Sequence, residues 1–572
     1  MATPSETITR AKQLLKKMGI QPLSEKWFNF KDQVHSVRIE TDFNNGFFGT
    51  NGKGVTKDYA LASAYAEFLE RLQNGMLPQK AFTRSHLSMI NAEVGFNYFP
   101  DEKTIELKQF LQLPETVLSD AFGDGNCLPL AEKYFKRTSA SGSNGVVALP
   151  FYDILNNETI LLPLNLILGL TGSNGMCAGN SDAEAIYQGL CEIIERFCSA
   201  HIFFNELTPP DVPDSYLRQF PEEYAIIQSI TRDGRWAVVV KSFATEHSFP
   251  VLGLILIDND SKKYRLNVGC DTSFKTALQR CLTELFQGMD DNLLSRLMIP
   301  MPNSFQNNTN SSSSTSIAQK RQEFINFTVN GSGAFPKSLF GSENSYYFTP
   351  SVFKTQDSFE SEVSKIINKV KSLGFSVYIR NTSFTKFPSF WIYIPEMSIL
   401  GNDNNIEPIN NIDYLVEIDS VEDFIFSLKS VTKNEMHNFA TILSKLDTSS
   451  TIQNITKIEV LPSSNWSQLP TKYLHALISK YLGKEDDSIN LLNELICSDR
   501  KQDVKNFPFD MLYCKQGDIK TIADNIRLPH CPNCHICPLN NECTTKGKIS
   551  LYTKMWKSAA WSQPSQNIKW LT

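Results

Sequence analysis

The hydrophobic pattern of the chain is clearest between residues 181 and 197, where apolar positions recur with the period of an α-helix. Asn180 and Ser181 precede this stretch and are typical of the beginning of a helix. The apolar positions share one face and are expected to pack inward: Ala185, Ile186, Leu190, Ile193, Ile194 and Phe197. The other face carries Glu184, Gln188, Glu192 and Glu195. A stripe of carboxylates without a lysine at helical spacing needs a cation, and we expect it to face a cleft or water.

The same spacing occurs in three places along the chain. The first copy is Ala60-x2-Ser63-x3-Glu67-x2-Glu70-Arg71, the second is Ala185-x2-Gln188-x3-Glu192-x2-Glu195-Arg196, and a weaker third is Ala277-x2-Arg280-x3-Glu284-x2-Gln287. Gly54 and Gly179 stand six residues before the alanine in the first two copies. Because Mg²⁺ prefers carboxylate and phosphate oxygens, three such helices predict one shared site for Mg²⁺ and a polyphosphate. A solvated helix face with local ion pairs is the alternative for any single copy.

The remaining pattern predicts shorter elements around these helices. Amphipathic helices are expected at 6–18 and 358–373, and residues 96–163 are expected to form only short strands and loops. Strands are expected at 34–48, 146–149, 159–162, 236–240, 251–257, 264–268, 376–380 and 390–394. Strands that alternate with helices of this length indicate an α/β or α+β domain with a mixed sheet.

Residues 50–57, Thr-Asn-Gly-Lys-Gly-Val-Thr-Lys, resemble a phosphate-binding loop only superficially. A Walker A motif needs glycine five residues before Gly52, where this chain has Phe47, and Ser or Thr after Lys53, where it has Gly54. A glycine turn before a helix can still bind an anion through backbone amides. Nucleotide contact and a purely structural turn both stay open for this segment.

Length and charge limit the classes of protein to consider. A chain of 572 residues is too long for one ordinary core, and its net charge of −6 provides no basic field to attract nucleic acid. No apolar run reaches 18 residues, so no membrane span is expected. The longest, at 160–170, is interrupted by Pro163 and Asn165 and is expected to be a buried strand. The first residues lack a signal-peptide pattern, and we expect a cytoplasmic location.

Composition divides the chain into three regions. Beyond about residue 405 it shifts to Asn, Asp, Ser and Lys, which suggests a first region at 1–405, a mainly helical region at 406–500 and a cysteine-rich segment at 501–572. Residues 303–316 are a low-complexity Asn/Ser run that we expect to be a disordered loop. Residues 471–495 are expected to form two short antiparallel helices.

The last region contains a second strong motif. Cys531, Cys534, Cys537 and Cys543 are spaced closely enough to surround one soft metal centre. The spacing leaves an iron–sulfur cluster, Zn²⁺ and no metal as alternatives; Cys514 can replace Cys531, and His530 or His535 suits a zinc site. The other cysteines with no ligand spacing are expected to be small buried apolar residues: Cys127, Cys177, Cys191, Cys198, Cys270 and Cys281.

Residues 51–72 and 173–196 closely resemble the YcaO family of ATP-dependent enzymes. The likeness extends from about residue 5 to about residue 400, where Tyr393-Ile-Pro-Glu-Met-Ser398 is similar to the end of the family's domain. It is strongest for the longer bacterial members. The resemblance implies that 1–405 is an ATP-binding catalytic domain in which the three acidic helices surround an ATP and Mg²⁺ site.

The family's pattern also implies which residues form that site. The positions expected to bind ATP or Mg²⁺ are Ser63, Glu67, Glu70, Asn180, Glu184, Glu192, Glu195, Arg196, Arg280 and Glu284. The carboxylates would hold Mg²⁺, and the other side chains would contact phosphate or ribose. Three further residues are expected to support these side chains without contacting ATP or Mg²⁺ themselves: Arg71, Gln188 and Gln287. Thr7 would supply a hydroxyl near the nucleotide, whereas a lysine that the family uses there has no counterpart.

Family members use ATP to phosphorylate a peptide-bond oxygen after a nucleophile has added to the amide carbon. A thiol or hydroxyl then gives an azoline by cyclodehydration, and sulfide gives a thioamide. The resemblance therefore implies an ATP-dependent enzyme that modifies a peptide or protein substrate. Azoline-forming members have a proline-rich tail that reaches the active site, whereas this sequence ends without one. A separate sulfur-delivery or methylthiotransferase partner is accordingly expected.

Two other hypotheses and one structural question stay open at this point. The longer members imply a role as accessory factor for β-methylthiolation of an aspartate in a ribosomal protein of the small subunit. A non-catalytic metal-binding interaction protein is the third hypothesis. The spacing of residues does not give the oligomeric state, and a homodimer is included among the alternatives.

Overall fold

A computed structural model describes most of the first region and parts of the other two. The described residues are 2–20, 23–31, 34–43, 46–76, 84–125, 127–138, 145–245, 250–289, 291–302, 317–331, 333–350, 358–399, 432–444, 451–452, 470–497, 544–558 and 561–571. The predicted loop at 303–316 and the boundaries near 405 and 500 lie outside these ranges. So do all members of the cysteine motif: Cys514, His530, Cys531, Cys534, His535, Cys537 and Cys543.

The helices are numbered here in chain order. They are α1 Pro4–Lys17, α2 Lys57–Gln73, α3 Arg84–Val94, α4 Leu107–Phe110, α5 Glu115–Phe122, α6 Cys127–Thr138, α7 Leu164–Thr171, α8 Asp182–Phe204, α9 Asp214–Leu217, α10 Pro221–Thr231, α11 Phe274–Glu284, α12 Asp291–Leu297, α13 Ile317–Ile325, α14 Phe359–Ser372, α15 Lys433–Leu443, α16 Thr471–Tyr481, α17 Glu485–Cys497 and α18 Thr544–Lys557. A π-helical turn, Asn326–Asn330, follows α13.

The strands form three sheets within the described residues. They are β1 Ser24–Lys31, β2 Val34–Phe43, β3 Gly46–Gly54, β4 Lys103–Ile105, β5 Val146–Asp153, β6 Glu158–Pro163, β7 Met176–Ala178, β8 Trp236–Ser242, β9 Val251–Asp258, β10 Lys263–Cys270, β11 Ile299–Pro300, β12 Tyr378–Asn381 and β13 Ser389–Tyr393. The strand orders are β1-β2-β3, β11-β10-β9-β8 and β4-β5-β12-β13-β7, with β6 paired to β5.

The expected mixture of strand directions is wrong for the described part of the chain. Every strand pairing there is antiparallel. The reason is connectivity, because β1 to β3 and β8 to β10 follow one another as hairpins, and a hairpin joins antiparallel strands. The molecule still combines several sheets with many helices, as an α/β (α+β) protein does.

The predicted repeat corresponds to three strand–helix units. β3 leads into α2, β7 into α8 and β10 into α11, and the carboxylate stripes of the sequence lie on these helices. Each helix begins after a hydroxyl residue whose Oγ accepts a backbone hydrogen bond of the first turn, at 3.3 Å for Thr56, 3.2 Å for Ser181 and 3.3 Å for Ser273. The three helices therefore start in the same way at equivalent positions of the repeat.

The recurrent glycine has a steric cause. A Cβ atom at Gly54 would lie 2.6 Å from the backbone nitrogen of Ala60, and one at Gly179 would lie 2.7 Å from that of Ala185. The six-residue spacing between glycine and alanine thus records the close approach of each strand to its helix. In the third copy Asp271 takes this position and accepts a hydrogen bond of 2.9 Å from the nitrogen of Ser273.

Several predicted elements are confirmed, and three interpretations are wrong. The helices at 6–18 and 358–373 and the strands around β5, β6, β8, β9, β10, β12 and β13 are present, whereas β7 was not predicted. Residues 50–54 belong to β3 rather than to a loop, because Gly52 pairs with Val37. The run at 160–170 is divided, since β6 ends at Pro163 and α7 begins at Leu164. Residues 96–163 also contain the helices α4, α5 and α6.

The C-terminal helix α18 packs into the hydrophobic core of the first region. Ile549, Leu551, Tyr552, Met555 and Trp556 join the same buried cluster as residues of α1, α2 and β5. The tail after α18 continues along the domain, where Gln566 accepts a hydrogen bond of 2.8 Å from the nitrogen of Asn381. Residues 544–558 and 561–571 therefore pack with the first region, while the boundaries at 405 and 500 stay predictions.

The remaining C-terminal helices and the cysteines follow the sequence patterns. α16 and α17 lie against each other as the predicted pair at 471–495. Five of the scattered cysteines are buried, and Cys127 is half-buried. Among the helices that the structure describes, none combines the length and the apolar character needed to cross a membrane.

Candidate active site

The three acidic helices bring equivalent carboxylates together. Glu67 on α2, Glu192 on α8 and Glu284 on α11 occupy the same position of the repeat, and each is half-buried. Burial raises the pKa of Glu67, and the neighbouring carboxylates of Glu192 and Glu284 raise it further, against Arg71 and Lys53, which lower it. One glutamate from each helix thus contributes to a common negative field.

Basic side chains lie between these carboxylates. Lys53 Nζ, from the end of β3, lies 2.6 Å from Glu284 Oε2. Burial alone would raise the pKa of Glu284, but Lys53 outweighs it, with help from Arg196 and Arg280, and the pKa is lowered. Glu284 is therefore ionised at neutral pH.

Arg71 supports two carboxylates of its own helix. Its guanidinium lies 3.6 Å from Glu67 and 3.4 Å from Glu70. Its Nη1 atom, the one nearest Glu70, is buried and makes no hydrogen bond of acceptable geometry within the described structure, so its contact with Glu70 is an ion pair without a hydrogen bond.

A second pair of glutamates has strongly raised pKa values. Burial raises the pKa of Glu70 to about 8, with Arg71 opposing and Glu67 and Glu192 adding to the rise. Burial likewise raises the pKa of Glu195 to about 7, with Arg196 opposing it. Glu195 also accepts a hydrogen bond of 3.2 Å from the nitrogen of Cys270. Near neutral pH these groups keep a proton that a divalent cation would replace.

The positions one turn before the central glutamates include a contact between two of the helices. They are Ser63, Gln188 and Arg280, all half-buried. Arg280 donates a hydrogen bond of 2.5 Å to Oε1 of Gln188, which links α11 to α8. Gln188 thus contacts an arginine of the predicted site, and Nε2 of Gln287 donates to the carbonyl of Asn51 at 2.9 Å. The supporting role expected of both glutamines stays a prediction.

The N-terminal end of α8 forms the other end of the site. Asn180 donates from its backbone and side chain to the carboxylate of Glu184, at 3.2 Å in both cases. Thr7 of α1 donates from Oγ1 to Asn180 Oδ1 at 2.7 Å. Arg10, one turn later on α1, donates to the Asn180 carbonyl at 3.3 Å. The expected hydroxyl contribution of Thr7 is thus placed beside the predicted site residues.

A pocket of about 360 Å³ opens beside the far end of α8. Its charged lining consists of Glu195, Arg196, Arg265 and Glu284, and its polar lining includes Asn51, Asn267 and Gln287. Within the described residues, no group of three or more His, Cys, Asp or Glu side chains could hold a metal ion by itself. The excess of buried carboxylate nevertheless suits cations that arrive with a polyphosphate, which supplies further oxygen ligands.

The structure also places basic residues beside the site that were not among the predicted ligands. Lys53, Arg10 and Arg265 face the predicted residues but belong to other elements. The spacing of Thr7 and Arg10 on one face of α1 was an available signal. Lys53 lies in the segment 50–57, for which nucleotide contact stayed open, whereas no local pattern marks Arg265 or the pairing of Lys53 with Glu284.

The geometry agrees with a comparison against known protein families. Residues 51–398 match the model of the YcaO cyclodehydratase family, described as ATP- and Mg²⁺-binding. The chain belongs to the YcaO family. All ten residues predicted to bind ATP or Mg²⁺ lie within the matched YcaO segment, whereas Thr7, Arg10 and α18 lie outside it.

Individual YcaO relatives match over shorter or more distant stretches. The Escherichia coli ribosomal protein S12 methylthiotransferase accessory factor YcaO is 31% identical over 290 residues, which are 50% of this chain and 48% of that protein. The chain therefore spans about half the length of this curated relative.

Two solved structures were also matched. A heterocyclase in complex with substrate and cofactor has 19% identity and a TM-score of 0.47, over 69% of this chain and 52% of that one. YcaO from Methanopyrus kandleri, bound with AMPPCP and Mg²⁺, has 18% identity and a TM-score of 0.44, over 71% and 96% of the two chains.

Proposed function

We propose that the protein is an ATP- and Mg²⁺-dependent enzyme that activates a peptide backbone amide by O-phosphorylation. A thiol, a hydroxyl or sulfide would add to the amide carbon, and loss of the phosphorylated oxygen as phosphate would give an azoline or a thioamide in a peptide or protein. The observation that carries this proposal is the convergence of Glu67, Glu192 and Glu284 from three equivalent helices. Membership of a family described as ATP- and Mg²⁺-binding supports it.

The residues present fit a nucleotide with its cations. Glu67, Glu70, Glu184, Glu192, Glu195 and Glu284 would hold Mg²⁺, and Ser63, Asn180, Arg196 and Arg280 would contact phosphate or ribose. When bound, ATP supplies a γ-phosphoryl group that can be transferred to the amide oxygen with release of ADP, and that oxygen then leaves the carbon as phosphate. Burial of the carboxylates excludes water, which protects an activated amide from hydrolysis.

The chain's own residues have positional and proton-holding roles in this proposal. Gln188 fixes Arg280 by a hydrogen bond, and Lys53 keeps Glu284 ionised. Glu70 and Glu195, whose pKa values are raised to about 8 and about 7, hold protons near neutral pH until cations arrive. Such a site increases the rate mainly by holding the nucleophile and the amide carbon in a reactive orientation.

Calorimetry on the full chain tests the proposal. Wild type should bind ATP in the presence of Mg²⁺ and release orthophosphate when its substrate is present, and Glu192→Gln should lose at least about tenfold in affinity. Glu222→Gln is a control, because Glu222 on α10 is exposed and its partner Lys275 lies in the first turn of α11, nine residues before Glu284. If wild type fails to bind ATP, the amide-activating function is wrong and a metal-binding interaction protein becomes the better hypothesis.

A second function is favoured by the Escherichia coli relative. That protein is named as an accessory factor for methylthiotransfer to ribosomal protein S12. By the same role, this chain would assist a methylthiotransferase partner in modifying a ribosomal-protein aspartate, with nucleotide binding serving assembly or sulfur delivery. Mass spectrometry of S12 from cells with and without the gene separates the two functions, because only the accessory role predicts loss of the modification.

The cysteine motif adds one cofactor to the proposal. We propose that Cys531, Cys534, Cys537 and Cys543, with Cys514 as an alternative ligand, bind an iron–sulfur cluster or Zn²⁺. Iron and zinc contents of protein purified without oxygen, together with its visible spectrum, distinguish the two metals. Absence of both metals from the purified protein would show this assignment to be wrong.

A further inference from the structure

Residues 382–388 connect β12 to β13 and form a turn that α2 holds in place. Gln73, the last residue of α2, donates from Nε2 to the carbonyl of Phe387 at 3.1 Å. Its Oε1 accepts from the nitrogen and from Oγ1 of Thr385, at 2.7 and 2.8 Å. Gln73, Thr385 and Phe387 are all fully buried. Because one buried amide satisfies several polar groups of this β12–β13 turn, the turn has little freedom to move.

The β12–β13 turn contacts the residues that lead into α8. The nitrogen of Gly179 donates to the carbonyl of Pro388, the last residue of the turn, at 3.1 Å. Gly179 is the glycine that lets its strand–helix unit pack closely, and the next residue, Asn180, is a predicted contact of the nucleotide. The turn therefore binds the backbone directly before Asn180.

Arg10 on α1 links the same turn to Asn180. Its Nη2 donates to the carbonyl of Lys386 at 2.6 Å, and its Nη1 donates to the carbonyl of Asn180 at 3.3 Å. The centre of its guanidinium lies 5.2 Å from the centre of the Phe387 ring, within the range of a cation–π contact. A guanidinium carries a planar fork of donors, so it can bridge two carbonyls from different elements. Although Arg10 is exposed, these three contacts hold its head group in one orientation.

The contacts of Asn180 also fix the orientation of its side-chain amide. Glu184 accepts from the backbone nitrogen and from Nδ2 of Asn180, at 3.2 Å in both cases. A carboxylate only accepts hydrogen bonds, so Nδ2 rather than Oδ1 must face Glu184. Oδ1 is then turned toward α1, where the hydroxyl of Thr7 donates to it at 2.7 Å. An amide nitrogen carries two hydrogens, so Nδ2 can donate to a ligand as well as to Glu184.

We propose that Arg10 and the β12–β13 turn position Asn180 for the nucleotide. Arg10 is then a positioning residue, although it lies outside the segment that the family model matches. This inference rests on the proposed function, which makes Asn180 a contact of phosphate or ribose. Arg10 holds the carbonyl of Asn180, and the turn holds the nitrogen of Gly179, so Asn180 cannot rotate without breaking these bonds. Direct contact between Arg10 and a phosphate is the alternative that the experiment has to exclude.

The experiment compares four full-length proteins: wild type, Arg10→Met, Arg10→Lys and Lys12→Met. Methionine keeps an unbranched stem and favours a helix, but it has no hydrogen-bond donor. Lys12→Met is the matched control, because Lys12 attaches α1 to other elements, 3.5 Å from Glu25 of β1 and 5.4 Å from the centre of the Tyr65 ring of α2. Thermal unfolding verifies that each variant is folded.

Two quantities are measured on each protein. The first is amide hydrogen exchange of the nucleotide-free protein, followed by mass spectrometry of a peptide that covers residues 179–184. A peptide from α10 serves as the internal reference, because it reports any general loosening of the fold. The second quantity is the affinity for ATP in the presence of Mg²⁺, measured by calorimetry.

We expect residues 179–184 to exchange about fivefold faster in Arg10→Met than in wild type, and ATP affinity to fall by about the same factor, as is usual for a lost hydrogen bond. Arg10→Lys should recover part of both effects, because an ammonium group can still donate to one of the carbonyls. Lys12→Met should stay within about twofold of wild type in both measurements. Exchange in α10 should be the same in all four proteins.

Several results would overturn the inference. If Arg10→Met weakens ATP binding while residues 179–184 exchange at the wild-type rate, Arg10 contacts the nucleotide directly and is not a positioning residue. If exchange becomes faster but ATP affinity stays the same, the orientation of Asn180 has no consequence for the nucleotide. If Lys12→Met causes the same changes as Arg10→Met, loosening of α1 as a whole explains them.

Failure of the proposed function gives a different pattern. If wild type does not bind ATP, but Arg10→Met still speeds exchange of residues 179–184 and Lys12→Met does not, the link between the turn and Asn180 stands and the nucleotide function is wrong. If wild type binds ATP and Arg10→Met changes neither quantity, the nucleotide site stands and the positioning role of Arg10 is wrong.

Discussion

Lys53 Nζ and Glu284 Oε2 lie 2.6 Å apart, which joins the end of β3 to the last residue of α11. The two residues come from different copies of the strand–helix repeat and are 231 positions apart in the chain, from 53 to 284. Both side chains are less than a third exposed, at 22% and 28%. The pair therefore couples the first copy of the repeat to the third at the centre of the candidate site.

Replacing Lys53 with Met should destabilise the protein by about 1–2 kcal/mol at neutral pH, since it leaves a half-buried carboxylate without its cation. The free energy of unfolding from urea titration measures this change. The loss should be smaller when Glu284 is already Gln, because the partner charge is then absent. Equal losses in both backgrounds would mean that the ion pair contributes nothing.

The stability of the nucleotide-free protein should fall as pH rises from about 5 to about 8.5. Burial raises the pKa of Glu70 to about 8 and that of Glu195 to about 7, above the ordinary value of 4.5. In that window the folded state binds more protons than the unfolded state, so raising the pH favours unfolding. Glu70→Gln should flatten the profile of unfolding free energy, and an unchanged profile would contradict the assignment.

ATP binding with Mg²⁺ should have the opposite pH dependence. Cations bind ionised carboxylates, so the protons on Glu70 and Glu195 must leave, and affinity should rise between about pH 6 and pH 8. Calorimetry in buffers of different ionisation enthalpy measures the protons released. On binding ATP, Glu222→Gln should release as many protons as wild type, whereas Glu70→Gln should release fewer. If both variants release the same number, Glu70 is not a source of the released protons.

The sequence predicted most of the candidate site because its signal is local. The spacing of Glu67, Glu192 and Glu284 within their helices marks each copy, and the glycines before Ala60 and Ala185 record strand–helix contact. The proximity of the three glutamates depends on how the three helices pack. The repeat suggested a shared site, but no local sequence rule requires these helices to meet.

The missed features are long-range contacts. Arg265 is one of two charged residues of β10, and it donates a hydrogen bond to the carbonyl of Gly331 in a distant turn. The packing of α18 into the first core was likewise not predicted, because apolar positions at helical spacing do not indicate which region of the chain the helix packs against. The strand formed by residues 50–54 was mistaken for a loop because its glycines normally weaken strands.

Tyr393→Phe should destabilise the protein by about 1–3 kcal/mol. The Tyr393 hydroxyl donates to the buried carboxylate of Asp120, which also accepts from the nitrogen of Glu396 at 2.6 Å. Burial raises the pKa of Asp120 to about 7 against these two hydrogen bonds, so losing one should raise it further. Urea unfolding at pH 6 and pH 8 should show a larger loss at pH 8, where the carboxylate is ionised. A loss that is equal at both pH values would exclude a charge-assisted bond.

Trp556→Ala should destabilise the first region, although Trp556 lies in the last. The indole of α18 is 3% exposed and contacts the rings of Phe96, Phe99 and Phe384 at centroid distances of 5.2, 6.4 and 5.0 Å. Truncation of a buried aromatic side chain to alanine costs about 3–5 kcal/mol, because a cavity remains. If α18 belongs to the first core, Trp556→Ala should lower two midpoints together: the denaturant concentration at which the main unfolding transition is half complete, and the concentration at which half of the ATP binding is lost. Trp570→Ala is the control, because Trp570 is 41% exposed and should change neither midpoint. A separate early transition for α18, with ATP binding unaffected, would instead show that the C-terminal helix is an independent unit.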